Sequence, residues 1–158
     1  MRIAHKHKLA VLLVAILLLI VLLLLPRHGQ GADAPTQQQF GDYVVHYNAF
    51  TTDQLPAASA KAYGLQRSDS RGLLNVAVEA QRDGASRMIS AQVQAQVSDL
   101  TGHTQPIALR ETSENGDVDY IGDFPLSGSG AYVFTLKVTP PGRTQPFVLR
   151  FNRDYVID

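Results

Sequence analysis

The chain has 158 residues, of which 45% are hydrophobic and 18% are charged, and its formal net charge is zero. It contains no cysteine, which excludes a disulfide scaffold, a thiolate zinc site and a cysteine nucleophile. The zero charge is the sum of two opposite parts: residues 1–34 carry four basic and one acidic side chain, and residues 35–158 carry ten basic and thirteen acidic ones. An acidic remainder argues against a nucleic-acid-binding protein.

The first 34 residues have the features of an export segment. Three basic side chains, Arg2, Lys6 and Lys8, precede an unbroken run of Leu, Ile, Val and Ala over residues 9–25. A positive region followed by an apolar region is typical of a secretory signal. We therefore predict that residues 1–34 are a signal peptide or a signal anchor, that residues 9–25 form an N-terminal hydrophobic helix, and that the rest of the chain is exported.

Cleavage or retention of this segment depends on its length and on the residues that follow it. As a helix, the 17 apolar residues reach about 25 Å, just short of a hydrocarbon core of about 30 Å. The cleavage candidate Ala32-Asp33-Ala34 is followed by Pro35, which is expected to hinder the peptidase. We favour a single-pass anchor in a bacterial inner membrane with its N-terminus in the cytoplasm, since positive flanks stay inside. A soluble periplasmic domain after cleavage is the alternative.

Residues 35–41 are predicted to be a linker, and residues 42–158 a single all-β domain. In this domain apolar and polar residues alternate over short stretches separated by turn residues, which is typical of half-buried strands. Their number and spacing predict an antiparallel, immunoglobulin-like β-sandwich of about seven strands. The predicted strands span residues 42–50, 72–81, 89–98, 107–113, 118–124, 132–138 and 147–157.

Turn and helix signals complete this topology. Asp83-Gly84 and Asn115-Gly116 are dipeptides that favour two-residue hairpin turns, and each lies between two predicted strands. Residues 55–63 are alanine-rich, follow Asp53 as an N-cap candidate and end before a glycine. We predict one short helix there, covering an open end of the sandwich.

Tyr132 opens the sixth predicted strand, directly after a Gly-Ser-Gly-Ala turn. Its hydroxyl could bond upstream backbone, as in the tyrosine corner of immunoglobulin-like domains. A plain core tyrosine is the equally weighted alternative.

Only two histidines lie in the predicted domain: His46 in the first strand and His103 in a turn. A catalytic dyad needs a nucleophile within hydrogen-bond reach of a base, and no Gly-x-Ser-x-Gly elbow is present. Both histidines are expected to be structural or solvated. We therefore predict no catalytic, cofactor-binding or metal-ligating residue and no cofactor.

Two charged clusters remain as candidates. The acidic stretch from Glu111 to Asp123 lacks the glycine and distal glutamate of a calcium loop, and its side chains would point to different faces of a hairpin. We expect a solvated hairpin rim. Arg67 and Arg71 flank a loop, where a salt bridge is favoured over a contact with a protein partner.

Several runs of the domain resemble a family of small exported proteobacterial proteins that share a domain of unknown function. They are residues 41–50, 61–68, 71–76 and 120–125, and the closing pattern Phe147-x-x-x-Phe151-x-x-x-Tyr155. The resemblance covers nearly all of residues 38–158. It implies a periplasmic, β-rich domain, usually behind a cleaved signal, and it implies no activity.

We weigh three functions for the domain. The favoured one is a non-catalytic periplasmic binding or interaction module, with a protein partner at a sheet edge or near Arg67 and Arg71, since edge strands expose backbone that a partner can extend. The second is a carrier of a small ligand or lipid with a cavity between the sheets. The third is an enzyme with a site near His46 or the acidic hairpin.

Overall fold

The computed structural model describes residues 36–114 and 116–157. The predicted export segment, its apolar run 9–25, Pro35 and Asn115 lie outside the described residues. Within the described ranges, no helix combines the length and the hydropathy needed to span a membrane.

The described residues form two antiparallel β-sheets, so the predicted all-β sandwich is confirmed. The larger sheet has the strand order β1-β2-β3-β8-β7, with β4 also paired to β3, and the smaller sheet has the order β10-β9-β5-β6. The strands are β1 (Gln37–Phe40), β2 (Tyr43–Thr51), β3 (Arg71–Arg82), β4 (Ala85–Met88), β5 (Gln92–Ser98), β6 (Thr104–Ile107), β7 (Arg110–Glu114), β8 (Asp117–Pro125), β9 (Gly130–Thr139) and β10 (Phe147–Tyr155).

The described residues form ten strands, where about seven were predicted. Strand β1 lies in the segment predicted as a linker, and it pairs with β2. The Asp83-Gly84 turn is a hairpin, with φ of 51° and 77° at its two residues as a type I′ turn requires. Its second strand is the short β4, however, and β5 belongs to the other sheet. The polar Ser90 is where the chain leaves the larger sheet.

The prediction of a single strand over residues 107–113 is wrong, because the chain crosses from one sheet to the other there. Ile107 ends β6 in the smaller sheet, and Arg110 begins β7 in the larger one. The crossing depends on Gly122 of β8. A Cβ atom at this position would lie 2.6 Å from the carbonyl oxygen of Ala108, so only glycine leaves room for the crossing backbone.

The core lies between the sheets and consists of the faces that the alternation predicts. Leu74, Val76 and Val78 of β3 are fully buried, as are the matching residues of β9, which are Phe134, Leu136 and Val138. Aromatic rings span the gap: the Tyr47 and Phe151 centroids are 4.4 Å apart, and those of Phe124 and Phe134 are 5.4 Å apart. The aromatic residues therefore fill the space between the sheets.

The tyrosine corner is present. The Tyr132 hydroxyl donates to the carbonyl oxygen of Gly128 at 2.9 Å and accepts from the backbone N–H of Ser127 at 2.9 Å. Because the side chain is buried, these bonds satisfy a polar group that the core would otherwise isolate. They also fix the loop before β9.

The helix is shorter than predicted and covers a different part of the sandwich. After a 3-10 turn at Thr52–Gln54, helix α1 spans Ala57–Ala62, with Pro56 at its N-cap and no side-chain capping bond. The N-cap role predicted for Asp53 is therefore wrong. The helix covers the outer face of the larger sheet rather than an open end of the sandwich. There it forms a second small core with the buried residues Leu55, Ala60, Leu73 and Ile121.

Candidate functional site

The outer face of the larger sheet is divided into two halves. The helix segment seals one half, where an Arg71–Asp123 ion pair also lies. The other half is open and carries the outward side chains of β2, β3 and β8. Because β2 pairs with β3 and β3 with β8, the register sets His46, Ala77 and Asp119 side by side in one row.

A hydrogen-bonded pair of His46 and Glu79 dominates the open half. His46 Nε2 lies 2.8 Å from Glu79 Oε2, and the side chains are 32% and 16% exposed. Glu79 Oε1 accepts a further bond of 3.0 Å from the Gln81 amide. Hydrogen bonds from Ser86, Gln81 and His46, in that order of weight, lower the pKa of Glu79 to about 2. The carboxylate is therefore ionised at neutral pH.

Next to this pair lies a shallow depression of about 280 Å³, which we call the outer pocket. It is open because Ala77 puts only a methyl group between His46 and Asp119. Its lining residues are Thr36, His46, Tyr47, Asn48, Asn75, Ala77 and Asp119.

The outer pocket holds polar groups that are not satisfied by their neighbours. Asn75 Oδ1 is buried and has no hydrogen-bond partner among the described residues. Asn48, directly opposite Asn75 in the register, uses its Oδ1 to accept from the backbone N–H of Ala49 at 2.9 Å. Its amide nitrogen makes no hydrogen bond within residues 36–114 and 116–157 and is available to donate outward. Buried acceptors without a donor are rare in folded proteins, so this half of the face is unlike an ordinary solvated strand surface.

Known families and solved structures include proteins that are similar to this chain. Residues 37–158 match DUF4426, described as a domain of unknown function. A solved DUF4426 family protein from Pseudomonas aeruginosa PAO1 is 34% identical, with 79% of this chain and 96% of that chain covered and a TM-score of 0.66. The chain belongs to the DUF4426 family. The resemblance inferred from the sequence is thereby confirmed, and no curated protein matches the chain.

Two further solved structures share the fold of this DUF4426 protein. FetP from uropathogenic Escherichia coli strain F11, expressed in the periplasm of that species, is 17% identical over 78% of this chain and 94% of its own, with a TM-score of 0.57. A copper-bound variant of FetP is 15% identical over 77% and 95%, with a TM-score of 0.58. At these identities the likeness concerns the sandwich alone.

The two histidines considered from the sequence lie apart in the DUF4426 domain. His46 belongs to the larger sheet, whereas His103 lies in the exposed turn between β5 and β6 of the smaller sheet. There the backbone N–H of His103 donates to Asp99 Oδ1 at 3.1 Å. The partner of His46, Glu79, was not a sequence candidate. Only the strand register shows that these residues, 33 positions apart, adjoin.

The acidic hairpin is divided between faces, as its alternation predicts. Glu111 accepts a 2.9 Å bond from the Tyr120 hydroxyl, while Asp119 lines the outer pocket and Asp123 pairs with Arg71. Across residues 36–114 and 116–157, no group of three His, Cys, Asp or Glu side chains is placed to hold a metal ion. Of the stretch, only Asp119 contributes to the candidate site.

Both arginines near the loop make internal contacts. The Arg71 guanidinium pairs with Asp123, its Nε lying 2.9 Å from Oδ2, so the salt-bridge interpretation applies to Arg71. Arg67 donates to the backbone carbonyl of Asp53 at 2.6 Å. Neither guanidinium is thus directed solely at solvent or at a partner.

The sheet edges offer the other predicted contact surface. Strands β1 and β7 end the larger sheet, and β10 and β6 end the smaller one. The nine-residue β10 places Arg153 among inward-facing residues, with its guanidinium 5.5 Å from the Phe151 ring centre. An inward-pointing charge is a device by which edge strands resist pairing with another chain. The edges are therefore weaker candidates than the outer pocket.

Proposed function

We propose that this DUF4426 protein is a non-catalytic binding module of the bacterial periplasm, and that the outer pocket is its ligand site. The observation that carries the proposal is the pocket's set of side chains that converge without satisfying one another. A buried acceptor without a partner costs about 1–3 kcal/mol, and a bound ligand that donates to it offsets this cost.

The pocket's chemistry favours binding over catalysis. His46 has a carboxylate partner in Glu79, as a general base would, but a base also needs a nucleophile within reach. Thr36 supplies the aliphatic hydroxyl in the lining, and within the described residues no hydrogen bond joins it to His46. The remaining polar lining residues, Asn48, Asn75 and Asp119, are suited to hydrogen bonding.

We do not extend copper binding from FetP to this chain. A copper site requires several histidine, cysteine, methionine or carboxylate ligands that converge. His46 and Glu79 already bond each other, and the described residues bring no third His, Cys, Asp or Glu to them. Met88 is the register partner of Glu79, but without a third His, Cys, Asp or Glu ligand we propose no copper site here.

Export rests on the sequence pattern of residues 1–34, and we propose that the segment is retained as a single-pass anchor. The intact mass of the protein isolated from the cell envelope tests this. A mass equal to the whole chain is expected. A mass that lacks residues 1–34 would replace the anchor with a soluble periplasmic domain.

Photocrosslinking in intact cells tests the binding role. Asn48, at the exposed rim of the outer pocket, is replaced by p-benzoylphenylalanine, and the matched control carries the same residue at Asn152, exposed on the outer face of the smaller sheet. After irradiation, the intact mass of the purified protein reports an adduct of any chemical class. We expect an adduct of defined mass at position 48 that Asp119→Ala abolishes. Equal adducts at both positions, or none at position 48, would overturn the proposal.

A carrier with its cavity between the sheets is the second candidate from the sequence. The aromatic stacking of Tyr47, Phe134 and Phe151 fills that space and favours core packing as the role of these residues. An adduct at position 48 that Asp119→Ala leaves unchanged would favour the carrier over the outer-pocket binding module.

A further inference from the structure

We infer that the outer pocket recognises a primary ammonium group. This inference rests on the proposed function and adds the chemical class of the ligand. The hydrogen-bond roles of the lining side chains, and the sign of the charge around them, carry it.

The first step concerns the proton on His46. Glu79 is ionised at neutral pH, because its three side-chain hydrogen bonds hold its pKa low. A carboxylate can only accept hydrogen bonds, so His46 Nε2, 2.8 Å from Glu79 Oε2, must carry the proton. In the neutral imidazole the other nitrogen, Nδ1, is then an acceptor.

The second step concerns Asp119 and Asn75. The Asp119 carboxylate is an acceptor, and no side-chain donor among the described residues bonds to it. Asn75 Oδ1, beneath the pocket, is an acceptor without a donor. Asp119 and Asn75 thus give two acceptors on the adjacent strands β8 and β3, and the neutral form of His46 adds a third at Nδ1. An –NH₃⁺ group has three donors and no acceptor, so it can donate to each of them.

The third step concerns charge. Glu79 and Asp119 are both acidic, and the lining contains no Lys or Arg. Arg71 and Arg110 lie on the same face, but in the half that the helix covers Arg71 is paired with Asp123 and Arg110 donates to the carbonyl oxygen of Tyr63. A cationic ligand group in the pocket would therefore lie beside negative charge, with no basic lining side chain to compete with it. Opposite charges a few ångströms apart attract each other even near a protein surface.

The lining also limits the ligand. A volume of about 280 Å³ accommodates a small head group rather than a whole lipid or a folded partner. The free amide nitrogen of Asn48 can donate to a carbonyl next to the ammonium. The group itself, rather than the molecule that carries it, is what the pocket recognises, so a free amine and an amine displayed on a larger molecule share this chemistry.

Isothermal titration of the full-length protein in a non-ionic detergent tests the inference with three small probes. Propylammonium has both the charge and the donors, tetramethylammonium has the charge without donors, and propionate has the opposite charge. We expect measurable binding of propylammonium only, and a loss of about tenfold in affinity on Asp119→Asn, as for a hydrogen bond to a charged group. Asp83→Asn, which changes an exposed carboxylate in the β3–β4 turn, is the matched control and should leave the affinity unchanged.

Two results would overturn the inference. Propionate or tetramethylammonium binding as tightly as propylammonium would exclude recognition of N–H donors. Equal affinity of Asp119→Asn and the unsubstituted protein would place any bound amine outside the pocket. Glycinamide, in which a carbonyl adjoins the ammonium, tests the part played by Asn48. If the Asn48 amide donates to that carbonyl, glycinamide should bind more tightly than propylammonium. An adduct at position 48 in cells, together with no amine binding, would leave the proposed function intact and refute the ammonium alone.

Discussion

The outer faces of the two sheets have the same alternating sequence pattern but different organisation. On the smaller sheet, the outward residues include Gln92, Gln94 and Gln96 of β5 and Lys137 of β9, and their side chains make no hydrogen bond among the described residues. The last three of these line a depression of about 340 Å³. On the larger sheet, a helix seals one half, and His46 and Glu79 form a bonded pair in the other. Alternation thus predicts which side chains face outward, but the strand register decides which of them act together.

The largest expected difference between the faces is in apolar burial. Leu73 points outward from β3 but is only 2% exposed beneath the helix segment, whereas Val148 on the smaller sheet is 52% exposed. Leu73→Ala should lower the free energy of unfolding by about 2–5 kcal/mol, because it leaves a cavity. Val148→Ala should change it by less than about 0.5 kcal/mol. Urea denaturation measures both, and similar losses would mean that the helix does not cover the larger sheet.

A smaller difference is expected for the charged residues. Asp123→Asn removes the ion pair between Arg71 and Asp123, whose side chains are 36% and 31% exposed. The substitution should lower the free energy of unfolding by about 0.5–1 kcal/mol at low salt. The loss should shrink in 1 M NaCl as the charges are screened. Asp154→Asn serves as the control without an ion pair among the described residues. A salt-independent loss would show that the pair does not act electrostatically.

The sequence predicted the sandwich and its inward faces because burial imposes a period of two on each strand. It did not predict that β5 joins the smaller sheet, nor that the chain changes sheets between Ile107 and Arg110, because both depend on partners distant in sequence. Gly122 marks the crossing, but its role is visible only once the carbonyl of Ala108 lies against it.

The candidate site was only partly visible from the sequence for the same reason. His46 and Asp119 were considered, and each was expected to be solvated or structural. Glu79, Asn48 and Asn75 were not considered, although all are polar residues at outward positions of long strands. The 27-residue separation of Asn48 and Asn75 in sequence hides the fact that the β2–β3 register places them opposite each other.

Acid titration sharpens the contrast between an organised and a solvated carboxylate. Glu79 has a folded-state pKa of about 2, against an ordinary value of 4.5. Its contribution to stability is therefore complete above about pH 4.5 and is lost as the pH falls toward 2. Glu79→Gln should flatten the fall in unfolding free energy across this window. Asp83→Asn, in the exposed β3–β4 turn, should leave the slope unchanged, and an unchanged slope in Glu79→Gln would refute the bonded pair.

The smallest effect is expected on the outer face of the smaller sheet. Gln94→Ser removes an exposed amide that makes no side-chain hydrogen bond among the described residues. The free energy of unfolding should stay within about 0.5 kcal/mol, and propylammonium affinity should not change. A loss of amine binding in this variant would mean that the amine binds to the outer face of the smaller sheet.

The most direct test of the account maps the bound amine onto the two faces by NMR. In a titration of the full-length protein with propylammonium, the signals of His46, Asn48, Asn75 and Asp119 should shift and saturate together. The signals of Gln92, Gln94 and Gln96 should stay in place. Shifts confined to the smaller sheet, or spread evenly over both faces, would contradict a ligand site on the larger sheet.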